Sequence, residues 1–447
     1  MFIDNQKEVI MDHYLENIRS LNIQEKHAAL KNVATQSGIW AGDRKYSHAF
    51  LLSPSVYSIT ETQKKELEAL GHAINDCLLG MSHMANIAYN TNLNYKGTWA
   101  YLRKIFSSGV PKIYHHLQGM NVRDIPKLIK VDFMVDENGH FKIAEIDGHN
   151  KHGLGYSTLA MQFKNALHGG KKSLPGVVKL LAENVVKPLN SHLALLYAHK
   201  ERFYLPEFEI AAKEFEKHGV SSTVLSEKQF KEHKVSFEGL YLDFPFLSES
   251  PDLSAKISRD YQEGKINFII PPKPFLGAKS LLALLRNDGC DEDIEAMLKT
   301  FIKKSSLELV RKYIPQTFLV GKNALSLEEI RARLEQKSYV LKESISSGMK
   351  GTVFSDNYDF EPSLVTACNS NQNWILQEEV FNQPQEFSWF EECKVDGPYH
   401  RTEKNWFMRV TVQYVNRSLG DIIVTARQSR AVHGAKDSIQ LGAIVIP

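Results

Sequence analysis

The chain has 447 residues, with 54 Lys or Arg against 52 Asp or Glu, so its formal net charge is +2. Such near-neutrality gives no basis for non-specific attraction to nucleic acid or a membrane surface, and at roughly 100–200 residues per domain the length accommodates two to four units. With 43% apolar and 24% charged residues the chain is globular rather than disordered.

Four cysteines (Cys77, Cys290, Cys368 and Cys393) lie far apart without a CxxC pair, which favours a reducing compartment and gives no support for a structural zinc site. The start, MFIDNQKEVIMDHYLENIRS, carries acids throughout and reads as an amphipathic helix rather than a signal peptide. No run approaches the ~18 uninterrupted apolar residues of a membrane span, so the expectation is a soluble, cytoplasmic chain.

Residues 1–120 read as mostly helical: Thr60 and Gln63 form a capping-box pair, and Leu67, Leu70, Ile74 and Leu78 follow on one face. In the next segment, 121–189, two strand-like runs, Ile129–Val135 and Phe141–Asp147, flank Asp136-Glu-Asn-Gly, a hairpin signal. Segment 190–275 offers a strand at Leu193, a helix from Pro206 to His218 ending at Gly219, and a strand from Ser222. That βαβ order implies a parallel sheet, joined by strands at Leu240 and Ile266. Segment 276–447 begins with helices Lys279–Arg286 and Glu308–Tyr313, and continues with strand Thr317–Val320, helix Ser326–Glu335, strand Ser338–Lys342, a Ser/Gly loop and strand Trp374–Glu378. Two long strands close it, Trp406–Val415 and Asp421–Arg427, giving an antiparallel sheet. The fold class is therefore α+β / α/β, with an N-terminal helical region and a small parallel-sheet domain.

The hairpin puts Asp132 on one strand and Glu145 and Asp147, two apart and hence on one face, on the other. Such carboxylates suit Mg2+, which takes one or two of them together with phosphate oxygens; alternatively they form the solvated face of an ordinary hairpin. Strand residue Lys342 runs into Ser344-Ile-Ser-Ser-Gly348-Met-Lys-Gly351, a loop whose backbone N–H groups could cradle phosphate beside the lysine, or which is merely a connection. Neither GxxxxGK[ST] nor GxGxxG occurs. Strand Trp374–Val380 ending in acids offers an apolar slot for a base, or is an edge strand. Arg409 and Arg427, within apolar strands, require a carboxylate or phosphate partner. After the hairpin, His149–Ser157 is a Gly-containing loop in which Lys151 could pair with a carboxylate, or a simple loop capped at Ser157; His149 and His152 read as loop residues rather than zinc ligands.

The order of these motifs resembles the ATP-grasp superfamily in the circularly permuted arrangement of glutathionylspermidine synthetase and eukaryotic glutathione synthetase. The matching residues are Lys130-Val-Asp132 … Glu145-Ile-Asp147, the Asn267 … Lys279 stretch, Tyr313–Thr317, Val340-Leu-Lys342, the loop to Gly351 and Gln377–Val380. The likeness runs over roughly residues 125–447, in the family's order. It departs from the family at Asp147, usually Asn, and at Lys130, usually Arg, and the loop is poorer in glycine.

The resemblance implies ATP and Mg2+ as cofactors. Lys279 and Lys342 would contact phosphates beneath a lid containing Ser346, Ser347, Gly348 and Gly351; Gln377, Glu378, Glu379 and Val380 would hold adenine, with Glu386 near the ribose. Asp132, Glu145 and Asp147, with Glu343 as an addition, would bind the metal. Lys130, Asn150, Lys151, Gly153, Tyr156 and Ser157 would line the substrate site, and Arg409 or Arg427 would stabilise the oxyanion. The implied activity is a carboxylate–amine ligase working through an acyl-phosphate on an amino acid, small peptide or amine, without nucleic-acid or membrane partners and with a homodimer open. The alternative is a nucleotide-binding regulatory protein that organises a macromolecular surface.

Overall fold

The fold is given by a computed structural model, described over residues 21–38, 50–91, 97–149, 152–168, 174–232, 239–243, 251–322, 324–346, 351–391, 399–434 and 437–447. The amphipathic start and Cys393 lie outside these residues. Among the described residues no helix is long and apolar enough to cross a membrane.

The chain builds a mixed α/β architecture with three sheets among the described residues. The largest has the order β1 (Tyr57–Thr60), β15 (Ile439–Ile446), β14 (Ser418–Arg427), β13 (Tyr399–Val415), β2 (Leu128–Val135) and β3 (Phe141–Asp147), with β12 (Gln385–Glu391) also paired to β13. Only the β1/β15 pair in it is parallel among the named strands. β1 interrupts a region that the sequence reads as helical; four residues are too few to show a period.

The predicted hairpin is β2/β3. Its turn closes because the Asp136 carboxylate accepts the N–H groups of Asn138 and His140 and Gly139 takes φ +80°. The two strands are not in uniform register, however: Asp132 faces Glu145 whereas Phe133 faces Ile143, leaving Ala144 as an extra residue. The sequence explains why. Phe141 and Ile143 are buried, and so is Ile146, an odd-to-even change of phase that a regular strand cannot accommodate. The bulge at Ala144 absorbs it, keeping the apolar residues in the core while Glu145 and Asp147 emerge on the opposite face.

That core face is a ladder of Val424, Val410, Phe133 and Ile143 across β14, β13, β2 and β3. It packs on helix Glu61–Asn90, which starts with the predicted Thr60/Gln63 capping box and buries Leu67, Leu70, Ile74 and Leu78. The contact is close: a Cβ on Gly71 would come within 2.5 Å of the Tyr414 ring, whose hydroxyl donates to the Leu67 carbonyl at 2.9 Å.

A second, antiparallel sheet has the order β10 (Thr352–Phe354), β9 (Tyr339–Glu343), β11 (Trp374–Glu378) and β8 (Thr317–Val320). Helices Leu327–Leu334 and Phe360–Asn369 cover one of its faces. The third is the expected parallel sheet, β5 (Ser222–Ser226), β4 (Leu193–Tyr197), β6 (Gly239–Asp243) and β7 (Ile266–Ile270). Its helix Leu205–Lys217 packs on Leu154–His168, which lies on β14 and β15.

Candidate functional site

Opposite the core face, the large sheet presents polar rungs. On β13, Arg409, Thr411 and Gln413 alternate with buried Val410, Val412 and Tyr414, so all three emerge on one side. Register then aligns Gln413 with Lys130 and Asp147, Thr411 with Asp132 and Glu145, and Arg409 with Thr425 and Gln440.

Two cavities meet on this floor. One, of about 510 Å³, lies between the large sheet and the second sheet, with Met134, Val340, Phe354, Val380, Phe381 and Phe407 in its walls and Lys279, Lys342 and Glu378 among its polar lining. The other, of about 250 Å³, is polar and reaches Lys130, His149, His152, Gly153, Tyr156 and Gln413. Asp132, Glu145, Lys279, Thr352 and Arg409 line both.

The predicted pair of lysines converges here from different elements. Lys279, at the start of helix Ser280–Arg286, reaches Glu145 at 2.9 Å and the Ser346 carbonyl at 3.3 Å. Lys342, on β9, donates to Gln377 Oε1 at 2.6 Å and to the carbonyl of the bulge residue Ala144 at 3.2 Å. Gln377 also donates to the Ile143 carbonyl, so two β11/β9 side chains grip the bulge. Burial and then repulsion from Lys279 bring Lys342 down to about 8, opposed by Glu145 and Asp132.

Asp132 and Glu145 are cross-strand neighbours, which places their Cβ atoms about 5 Å apart. Asp132 accepts from Thr411 Oγ1 at 2.6 Å and pairs with Arg409 at 3.1 Å. Two oxygen donors open to both cavities match what Mg2+ requires when phosphates supply the rest. The three-carboxylate cage does not form. Asp147 is one rung away, tied to Lys130 at 2.9 Å and to His149 at 3.1 Å, and the described residues contain no group of three His, Cys, Asp or Glu that could hold a metal ion. Burial would raise the Asp147 carboxyl, but Lys130 and His149 outweigh it and hold it below its usual range. Lys130 is likewise depressed by burial yet raised overall by Asp147, Asp132 and Glu207. With its ammonium also on the His152 carbonyl at 2.7 Å, Lys130 is an internal tie rather than an open substrate anchor. Glu343 lines neither cavity, because Lys342 beside it takes the inward face.

Other expectations need correction. Arg427 lines neither cavity: its guanidinium holds Asp437 at 2.6 Å, His433 and the Ala431 carbonyl, bracing its own loop, and Arg409 alone of the pair reaches the site. Glu386 is exposed on β12 and also lines neither. Ser157 sits inside helix Leu154–His168 and donates to buried Asp421 rather than to a ligand or as a cap. Gln377, Glu378, Glu379 and Val380 do line the larger cavity, although Glu378 N–H donates to Gln316 and Glu379 N–H to Ser338. Ser346 lines the polar cavity, and Gly351, at φ +66° with its carbonyl accepting Glu343 N–H, returns the loop beside β9. A Cβ there would stand 2.8 Å from Glu343 Cβ. Ser347, Gly348, Asn150 and Lys151 lie outside the described residues. Gly153 and Tyr156 line the polar cavity.

The sequence reading missed several participants. Arg430 lines the larger cavity, clamping Asp356 at 2.6 Å and Glu379 at 3.1 Å with its guanidinium 4.9 Å from the Phe354 ring centroid. Thr411 and Gln413 were detectable as i+2 and i+4 companions of Arg409. Glu207 and Tyr204 come from the parallel-sheet unit, and no local signal marks them.

No family model matches the sequence, and no curated protein matches it. Among solved structures, a Methylobacillus flagellatus KT protein described as a gamma-glutamylcysteine synthetase aligns over 79% of this chain and 88% of its own, at 12% identity and a TM-score of 0.34. A carboxyaminoimidazole ribonucleotide synthase from Aspergillus clavatus, complexed with ATP, aligns over 53% of this chain and 57% of its own, at 11% identity and a TM-score of 0.24.

Proposed function

We propose that the protein is an ATP- and Mg2+-dependent carboxylate–amine ligase of the circularly permuted ATP-grasp kind, acting on an amino acid, peptide or amine. The observation that carries this reading is the junction of the two cavities at Asp132, Glu145, Lys279 and Arg409. An apolar slot ending in lysines suits a base and its phosphates, and the polar chamber beyond suits a substrate carboxylate.

In this reading Val340, Val380 and Phe407 would hold the base, and Lys342 and Lys279 would hold the phosphates, Lys279 at the border with the second chamber. Asp132 and Glu145 would hold Mg2+, whose charge would offset that developing on a transferred phosphoryl group. Arg409 borders both chambers, so its guanidinium can orient the acceptor carboxylate and then stabilise the oxyanion when the amine attacks. Gln377 and the bulge carbonyl fix Lys342 in place, which removes the ordering cost of positioning it during the reaction.

The test is calorimetric titration with a non-hydrolysable ATP analogue, with and without magnesium, followed by assay of ADP release with amino acids, peptides and polyamines. Magnesium-dependent binding and substrate-dependent ADP release are expected. Analogue binding without ADP release for any such substrate, or with crude metabolite extract, would overturn the ligase in favour of a regulatory nucleotide-binding protein; no analogue binding would overturn both.

A further inference from the structure

The polar chamber ends, away from the lysines that face the larger cavity, in a group of acceptors that protein donors do not satisfy. Gln413 is fully buried on its lining. The Gln413 amide donates to the Gly153 carbonyl at 3.2 Å, which fixes the amide's orientation, and its Oε1 has no hydrogen-bond partner. On the other side of Gly153, the Glu207 carboxylate accepts the Gly153 N–H through Oε1, while its Oε2 accepts no hydrogen bond and has His152 Nδ1 3.7 Å away. Glu207 is 1% exposed. A buried amide oxygen and a buried carboxylate oxygen left in this condition are costly unless a ligand supplies the donor.

The local charge balance defines that donor. Lys130, on the rung facing Gln413, is already committed to Asp147 and the His152 carbonyl, so its charge is answered. The field of Glu207 extends over the chamber wall: with burial as the larger cause, it raises both Tyr156 and Tyr204, and it also acts on Lys130. Tyr156, Tyr204 and Phe50 add ring faces and edges to that wall, and His152 stacks on Tyr204 at 3.8 Å between centroids. The open Gln413 acceptor, the Glu207 carboxylate behind it and the aromatic rings together form a setting for a cation carrying N–H donors.

We propose that this end of the chamber receives a protonated primary amine of the substrate, with Gln413 as the specificity-determining acceptor and Glu207 as a positioning residue behind Gly153. The assignment deepens the ligase reading and rests on it. Gln413 lies two strand residues from Thr411, so the amine is held roughly 7 Å along the sheet from the Asp132/Glu145 rung.

The experiment is calorimetric titration of the full chain, saturated with magnesium and a non-hydrolysable ATP analogue, with common α-amino acids and short ω-amino acids, each beside its N-acetyl derivative. Free-amine compounds are expected to bind roughly tenfold or more tightly than their acetylated counterparts, a preference that Gln413→Met removes. Glu207→Gln keeps an acceptor for Gly153 N–H but removes the charge, and is expected to cut the preference several-fold; a merely structural role would leave that ratio unchanged. A nucleotide titration of each variant reports whether it is folded. Equal binding of acetylated compounds, a preference that survives Gln413→Met, or no binding of any free amine by protein that does bind nucleotide would each overturn the proposal. Absence of nucleotide binding in the unaltered protein would instead overturn the ligase reading, and this assignment with it.

Discussion

The two chambers share a wall but are built in opposite ways. The larger one is a gap between two sheets, and its shape depends on how β9 and β11 seat against the bulged hairpin through Lys342 and Gln377. The polar one is a floor, one face of a single sheet, closed by a glycine loop and by Tyr204 from the parallel-sheet unit. Binding in the first should therefore respond to anything that alters sheet-to-sheet contact, whereas the second is changed residue by residue. The difference also separates their chemistry: apolar walls with two lysines at the end in one case, hydrogen-bonding side chains at register positions in the other.

The most severe way to break both is to delete Val131 from the regularly alternating part of β2. With Asp132 kept on its rung, the deletion would turn Lys130 toward the core and Ile129 out of it, and loss of cooperative folding is expected by circular dichroism and thermal melting. Lys342→Ala should act on the larger chamber alone, weakening nucleotide binding about 100-fold, or ~2.8 kcal/mol, by calorimetry. The same group sets a pH limit. With Lys342 at about 8, nucleotide affinity should be nearly flat below pH 7 and fall by about tenfold per unit above pH 8 as the ammonium that meets the phosphates is lost. That limb should be absent in Lys342→Ala.

Asp147→Asn sharpens the division between the metal pair and the internal tie. It should leave Lys130 without its carboxylate and cost about 3 kcal/mol in denaturant unfolding, while the response of nucleotide binding to magnesium changes by less than about threefold. Because Lys130 and His149 overcome burial to depress the Asp147 carboxyl, its stabilising contribution is complete above the ordinary carboxylate pKa and disappears as pH falls through the depressed one. Glu145→Gln should differ in the readout that Asp147→Asn spares, with magnesium dependence lost, and it too should lower stability because buried Lys279 loses its carboxylate. At the small end, Arg430→Ala should weaken nucleotide binding by about threefold, since its clamp is largely solvent-exposed, and Glu386→Ala should have no measurable effect.

The rungs show how far the sequence could be read. Period-two spacing was enough to put Glu145 and Asp147 on one face and to locate Lys342 at a strand end. It was not enough to separate Asp132 and Glu145 from Asp147, because that distinction depends on which side chains lie opposite: Thr411 and Arg409 against Asp132, Lys130 against Asp147. Arg427 and Glu386 were placed by their order along the chain, but order does not reveal that a loop folds back to occupy Arg427 or that β12 pairs along the outside of β13. The bulge was legible, though unread, in the phase change of Phe-Lys-Ile-Ala-Glu-Ile-Asp. Glu207 was not legible, since only the packing of helix Leu205–Lys217 on Leu154–His168 brings it to Gly153.

The pairing of Lys279 with Glu145, and of Arg409 with Asp132, also bears on how a ligand enters. Each cation that would meet a phosphate or carboxylate already holds an anion that would meet a metal. Entry is then a double exchange, in which an anion and a cation arriving together each take one half of an existing couple, and little net charge is created or annihilated. Free nucleotide offers only half of that trade and must compete with Glu145 for Lys279, so its affinity should decline with added salt more steeply than that of the metal complex.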